Sequence, residues 1–310
     1  MPTAKVHPPP VFPILVSDEV ITAALKHYRG LGPVRLGQLQ EAGIFTWHDV
    51  INCAHQLPGV LQSEAVAESQ RSIDALQQGN VRYFIDHFAP QDRWRILTQY
   101  LDDCAFFDIE TTGLEIDDTI TTIVCWHNGR LHTFVEHENL DDFLDLMDNI
   151  KLLVSFNGST FDVPRVLDGF HIPELPCPHL DLRWPCHYQK LSGGLKQITT
   201  TLGISRPADL QDADGELAVR LWSQWQLQQN KDARDHLIRY CAADVLLLRP
   251  LAEHIAGRPM DSLKNLWDEL PNAAPITESL GPREQRIKQL VDKFGPASPQ
   301  VLRTRRRRGS

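Results

Sequence analysis

The 310-residue chain is 42% hydrophobic and 23% charged, with a net charge of −9, a profile of ordinary globular proteins. No run of about 18 apolar residues occurs, which argues against a membrane-spanning helix. The opening MPTAKVHPPPVFP is rich in Pro and lacks the apolar stretch of a secretory signal. Six scattered cysteines (Cys53, Cys104, Cys125, Cys177, Cys186, Cys241) in mostly apolar contexts read as reduced thiols of a cytoplasmic protein, not as a disulfide framework.

Charge is unevenly spread. Residues 1–89 hold 6 Lys/Arg against 8 Asp/Glu, residues 90–256 hold 14 against 26, and residues 257–310 hold 11 against 6. The acidity therefore sits in the middle. An acidic region that binds cations still reaches phosphate through them, so the overall negative charge does not exclude a nucleic-acid partner.

Residues 1–85 read as a small all-α region with a connector. Apolar positions recur at helical spacing in VITAALKHY, RLGQLQEAGI, WHDVINCAHQL and AVAESQRSIDAL, with GLGP and LPG as turns between them. The turn Gly30-Leu31-Gly32-Pro33, with Arg35 one turn into the next helix, has the composition of a hairpin that presents backbone N–H groups to phosphate. A simple helix-to-helix turn uses the same glycines. The second turn, LPGV, has no Lys or Arg until Arg71 and reads as packing. RYFIDHFAPQDRW connects to the next region.

Residues 86–256 begin with three strands, CAFFDIE, TITTIVCWH and LHTFVEH, the last two joined by the hairpin signal NGR. Helix LDDFLDLMDNI, strand KLLVSF, loop NGST, a helix from about Phe161 and a short strand in PHLDLR follow. A long helix from about Asp232 to Ile255 closes the region. The pattern predicts a mixed α/β sheet flanked by helices. Residues 257–310 read as a flexible tail with one helix, PREQRIKQLVDKF, and a basic end, RTRRRR.

The chemistry concentrates in FFDIETTGL. Asp108 and Glu110 are two residues apart in a strand, so both face the same way. Like charges that close raise each other's pKa unless a cation lies between them, and a divalent metal is the simplest such cation. Further oxygen ligands are then needed. Asp162 follows strand and loop at a helix start, and Tyr240 and Asp244 lie one turn apart on the long helix.

These three segments resemble motifs I, II and III of the DEDD 3′–5′ exonucleases, which share a ribonuclease H-like fold: DIETTG, NGSTFD, and YCAAD in its tyrosine form. With DRWRIL, HLDLR and LSGGLKQITTTLGISR, residues 80–256 are similar to YprB-type predicted exonucleases of bacteria. HYRGLGPVRLGQLQEAGIFTWHDV resembles the helix–hairpin–helix element fused ahead of them. The resemblance implies a hydrolase acting on DNA or RNA with two Mg²⁺ or Mn²⁺ ions and no small-molecule cofactor. Asp108 would bridge the ions, Glu110 and Asp244 would complete one shell, and Asp162 would hold the second. Tyr240 would position the attacking water. Asn157, Lys196, Gly30, Gly32 and Arg35 are the candidate nucleic-acid contacts. One position departs from the family: Cys241 stands where Asn is common. Asp181, with His179 as its candidate partner, reads as a structural carboxylate. Cys177, His179, Cys186 and His187 lack zinc-site spacing. Competing readings are a catalytically idle nucleic-acid binder and a structure-selective endonuclease. The sequence leaves the oligomeric state open.

Overall fold

Five strands form one sheet: β1 Cys104–Thr111, β2 Ile120–His127, β3 Arg130–Val135, β4 Leu152–Ser155 and β5 His179–Asp181, in the order β3-β2-β1-β4-β5. The structure is a computed structural model that describes residues 17–274 except Pro58, Ile116 and Asp212. β1, β2 and β3 pair antiparallel, and β4 and β5 run parallel to β1. Asn128 and Gly129 take φ values of 51° and 78° between β2 and β3, the left-handed turn that the Asn-Gly pair predicts.

Alternation along β1 divides its side chains between two cores. Ala105, Phe107 and Ile109 point into one, with Ile123, Phe134, Phe143 and Val166. Phe106 points into the other, with Val124, Val154 and the apolar face of the long C-terminal helix. Burying each Phe contributes about 1.5–3 kcal/mol, enough to pin the strand's register. Asp108 and Glu110 continue the row begun by Phe106, and the ladder to β2 shifts register between Glu110 and Thr111. Such an irregularity re-aims side chains at a strand end.

The helices are α1 Ser17–Thr22, α2 Pro33–Glu41, α3 Trp47–Asn52, α4 Gly59–Gln77, α5 Val81–His87, α6 Trp94–Tyr100, α7 Asp142–Met147, α8 Asp162–Gly169, α9 Arg183–Tyr188, α10 Leu195–Thr201, α11 Gly215–Gln228 and α12 Lys231–Ile255. Local signals explain their starts. Thr46 and Asp49 form a reciprocal capping box on α3, Asp214 caps α11, and Asn230 accepts from the N–H groups of Asp232 and Ala233 on α12.

Two expectations change. The connector at residues 82–94 begins inside a helix, α5, and turns through 88–93 into α6: Asn80 caps α5, and Val81, Phe84 and Phe88 are buried at helical spacing. Burial of that stripe outweighs the Pro and Asp breaks that follow it. The expected flexible tail does not start at Gly257. Residues 261–265 form a 3₁₀ turn, Leu266 and Leu270 are buried in the core, and Trp126 Nε1 donates to Glu269 at 3.1 Å. The expected tail helix and the basic end lie outside the described residues.

The N-terminal helices share their core with the sheet. Phe84, Leu97 and Tyr100 belong to the same apolar cluster as Phe106 and Val154. Arg82 donates to the carbonyls of Leu175 and Pro176, and Asp92, buried, receives Lys26 at 3.1 Å and Arg95 at 3.3 Å. Among the described residues, no helix is long and apolar enough to cross a membrane.

Candidate active site

β1, α8 and α12 bring the predicted acids to the carboxyl end of the sheet. Ligand atoms of Asp108, Glu110 and Cys241 lie within 4.8 Å of one another. Asp162, the first residue of α8, turns back toward β1 and accepts from the N–H of Ile109 at 3.3 Å. It is also among the acids that raise the pKa of Asp108 and of Glu110.

The electrostatics are those of an acid cluster short of positive charge. Burial, then Asp162 and Glu110, hold the Asp108 carboxyl well above the usual range. Burial and Asp162 push Glu110 up to about 8. Burial pushes Asp162 to about 7, against the pull of its backbone donors. Ionising these groups together in a buried site requires added positive charge.

Two side chains supply part of it. Arg206, buried, makes an ion pair with Asp244, and its charge also opposes the upward shifts of Asp108 and Glu110. Lys196 donates to the carbonyl of Ala213, and its ammonium lies 3.4 Å from the Tyr240 hydroxyl. The predicted fourth acid, Asp244, therefore sits one turn beyond Tyr240 on α12 but is engaged by a guanidinium. Arg206 went unrecognised in the sequence because a lone Arg in GISRP carries no spacing signal. Its position depends on the fold of the segment between α10 and α11.

Tyr240 is buried, with Arg206 5.4 Å and Lys196 5.1 Å from its ring centre. Burial and then Glu110 and Asp108 raise its pKa, so the phenol stays protonated. It can orient a water by hydrogen bonding but does not act as a base near neutrality. Cys241 Sγ lies 3.4 Å from the Asp108 carbonyl and 3.7 Å from Asp108 Oδ2. The residue that departs from the family pattern thus touches the first acid directly.

The loop after β4 is held by a different carboxylate. Asp181 accepts from the N–H groups of Asn157 at 2.7 Å, Ser159 at 3.1 Å and Arg183 at 3.0 Å. This is the structural role expected of it. His179 bonds instead to Ser155 Oγ at 2.8 Å, and burial lowers its pKa to about 4, so it is a neutral packing group. Asn157 adopts a left-handed φ of 66° and accepts from Thr160 Oγ1 at 3.0 Å and from Arg183.

The N-terminal candidates lie in the helical region. Gly30 has φ +80°, and a Cβ there would approach Leu61 Cδ2 to 2.7 Å, so turn geometry and packing against α4 require it. Gly32 precedes α2, and a Cβ added there would meet nothing within 4 Å. Packing does not account for that glycine. Arg35 donates to the Gly30 carbonyl at 2.9 Å, closing the hairpin with its own charge.

Residues 105–256 match the family model RNase_H_2, described as RNase_H superfamily. The sheet-bearing region has a ribonuclease H-like fold. That is a nuclease fold, and nucleases of this kind generally use divalent metals. Among solved structures the chain is similar to a family B DNA polymerase from the hyperthermophilic archaeon Pyrobaculum calidifontis, at 17% identity and a TM-score of 0.39. The match covers 52% of this chain and 26% of the polymerase chain. No curated protein matches.

Proposed function

We propose that this chain is a metal-dependent phosphodiesterase acting on nucleic acid, specifically a 3′–5′ exonuclease. The observation that carries the proposal is the cluster of Asp108, half-buried, with the buried Glu110 and Asp162, gathered together with raised pKa values. A binding protein gains nothing from burying acids that repel one another, whereas hard cations neutralise them. Asp108 and Glu110 would hold one ion and Asp108 and Asp162 the other, with Asp244 joining when Arg206 turns aside. Oxygen donors suit Mg²⁺ or Mn²⁺, and the ions would supply an activated water and charge stabilisation at the scissile phosphate.

The protein's own groups then have distinct tasks. Tyr240, kept protonated, orients the attacking water. Lys196 is placed to meet phosphate charge beside it, and Arg206 can exchange a carboxylate partner for a phosphate oxygen. The helical region's hairpin, with Gly32 open, would hold backbone phosphate without reading sequence.

A second reading rests on the Arg206–Asp244 ion pair: a guanidinium that neutralises the site in place of metal describes an idle binder. Incubation of the purified chain with Mn²⁺ and linear or circular DNA and RNA separates the readings. Release of nucleotides from 3′ ends with circles intact supports the exonuclease. Cutting of circles supports an endonuclease, and no cleavage with retained binding supports the idle binder.

A further inference from the structure

The acid cluster contains a donor other than oxygen. Cys241, on α12 and fully buried, places Sγ 3.7 Å from Asp108 Oδ2 on β1. Glu110 completes the group, because one ligand atom from each of the three residues lies within 4.8 Å of the other two. Glu110 is 9% exposed, and among the described residues its carboxylate accepts no hydrogen bond and makes no ion pair. The other two acids of the site are answered. Asp162 has the N–H of Ile109 at 3.3 Å, and Asp244 has Arg206.

The spacing is that of donors sharing one ion. Metal–oxygen bonds of about 2.1 Å and metal–sulfur bonds of about 2.3 Å set two donors about 3.6 Å apart at a tetrahedral angle. The four other buried cysteines, Cys104, Cys125, Cys177 and Cys186, belong to no such group among the described residues. In the metal-free chain burial, then Asp108 and Glu110, keep the Cys241 thiol protonated, and its S–H is a weak donor to Asp108. Coordination breaks that S–H bond, forms a metal–sulfur bond and releases the proton to solvent.

We infer that Cys241 is a ligand of the ion held by Asp108 and Glu110, making a mixed oxygen–sulfur position that favours a sulfur-accepting divalent ion, Zn²⁺ or Co²⁺, over Mg²⁺. This rests on the proposed function for the presence of an ion and deepens it by naming the class of ion at one of the two positions. The physical reason is donor softness. Thiolate is a soft ligand, whereas Mg²⁺ requires hard oxygen donors in near-octahedral array and sheds water reluctantly. The position between Asp108 and Asp162 has carboxylate oxygens alone and keeps the ordinary hard-ion preference.

Titration of the full-length, metal-free chain with Co²⁺, followed by absorbance, tests the inference through the sulfur-to-metal charge-transfer band, which oxygen ligation does not give. The first equivalent should produce the band, and Cys241→Ser should remove it. Asp108→Asn should weaken Co²⁺ binding at least about tenfold, since losing a ligand costs no less than losing an outer partner. Calorimetry should show Zn²⁺ bound at least about 10²-fold tighter than Mg²⁺ in the parent. Cys241→Ser should reduce Zn²⁺ affinity about tenfold and move Mg²⁺ affinity by less than about threefold. Circular dichroism melts check that Cys241→Ser is folded. If it is not, the parent band and its dependence on Asp108→Asn decide the question, because among the described residues no other cysteine is grouped with that acid. No band in the parent, or a band unchanged by both substitutions, overturns the inference. A sulfur signature in a chain that hydrolyses no nucleic acid leaves the ligand standing and removes the nuclease reading. Mn²⁺-dependent hydrolysis without a sulfur signature does the reverse.

Discussion

β1 holds a half-buried aspartate and β5 a buried one, and the two strands treat its charge in opposite ways. Asp181 on β5 receives three backbone N–H groups within 3.1 Å. Its carboxylate is a rivet that shapes the loop carrying Asn157. Asp108 on β1 has two other acids and a thiol for neighbours, and burial with those acids raises its pKa. A buried carboxylate that is fully hydrogen-bonded serves the fold, because its desolvation is repaid locally. A cluster left to repel itself costs stability, and perturbed groups of that kind gather at functional sites, as the proposed function requires of this one. Chemical identity does not distinguish the two aspartates; the donors around them do.

Exchanging the roles is the strongest way to break this contrast. Asp108→Asn should cut hydrolysis in Mn²⁺ by at least about 10³-fold, a loss of about 4 kcal/mol of transition-state stabilisation. The same variant, free of metal, should melt at or above the parent temperature, because an amide never takes on the charge that burial and the neighbouring acids oppose. A variant that kept the parent's rate would remove Asp108 from the chemistry. Asp181→Ala should do the opposite and destabilise by about 1–3 kcal/mol, since three part-buried N–H groups lose their acceptor. Chemical denaturation measures that loss.

Tyr240→Phe should lower the rate by roughly 10²-fold, as for a lost water-orienting group, with the metal affinity retained. Calorimetric titration with Mn²⁺ separates the two effects. An unchanged rate would make Tyr240 a packing residue.

The repulsion also predicts a pH response. Glu110, with its usual value of 4.5 raised to about 8, and Asp162, raised to about 7, contribute stability that is fully present below their unfolded values. That contribution is lost as pH rises through the folded values. The neutral buried His27 and His179, both lowered to about 4, act in the other sense and lose their contribution as pH falls below about 6.5. Between about pH 6.5 and 8, the metal-free chain should therefore melt progressively lower, and saturating Mn²⁺ should flatten the slope. A melting temperature indifferent to pH in EDTA would contradict the raised values.

The smallest effect expected is at the N-terminal hairpin. Removing residues 1–79 is not a clean test, because Phe84 and Tyr100 share a core with the sheet and would lose the helices packed on them. Gly32→Ala, in open space, should change stability by less than about 0.5 kcal/mol yet weaken nucleic-acid binding severalfold across all sequences. Gly30→Ala should instead destabilise by about 1–2 kcal/mol through its positive φ and the contact with Leu61. Equal affinity in Gly32→Ala would reduce the hairpin to a structural turn.

Much of this architecture is legible along the chain. The strands, the Asn-Gly hairpin and α12 follow from alternation, turn chemistry and helical period, all of which act over neighbouring residues. Asp108 and Glu110 sharing a face follows from the two-residue repeat, and Tyr240 with Asp244 from the helical one. The approach of Cys241 to Asp108, across 133 positions of sequence, has no local signature. Nor does the ion pair of Arg206 with Asp244, or the meeting of Lys196 with Tyr240. Helix formation at residues 81–87 and the packing of Leu266 and Leu270 escaped sequence reading for a related reason: short segments are stabilised by the surface they bury, and that surface belongs to other parts of the chain. Local periodicity by itself determines which face each acid takes, because backbone geometry acts within a few residues. Only the tertiary structure decides which acid is answered by a donor and which is left to repel, because electrostatic and packing energies depend on distance in space and not along the sequence.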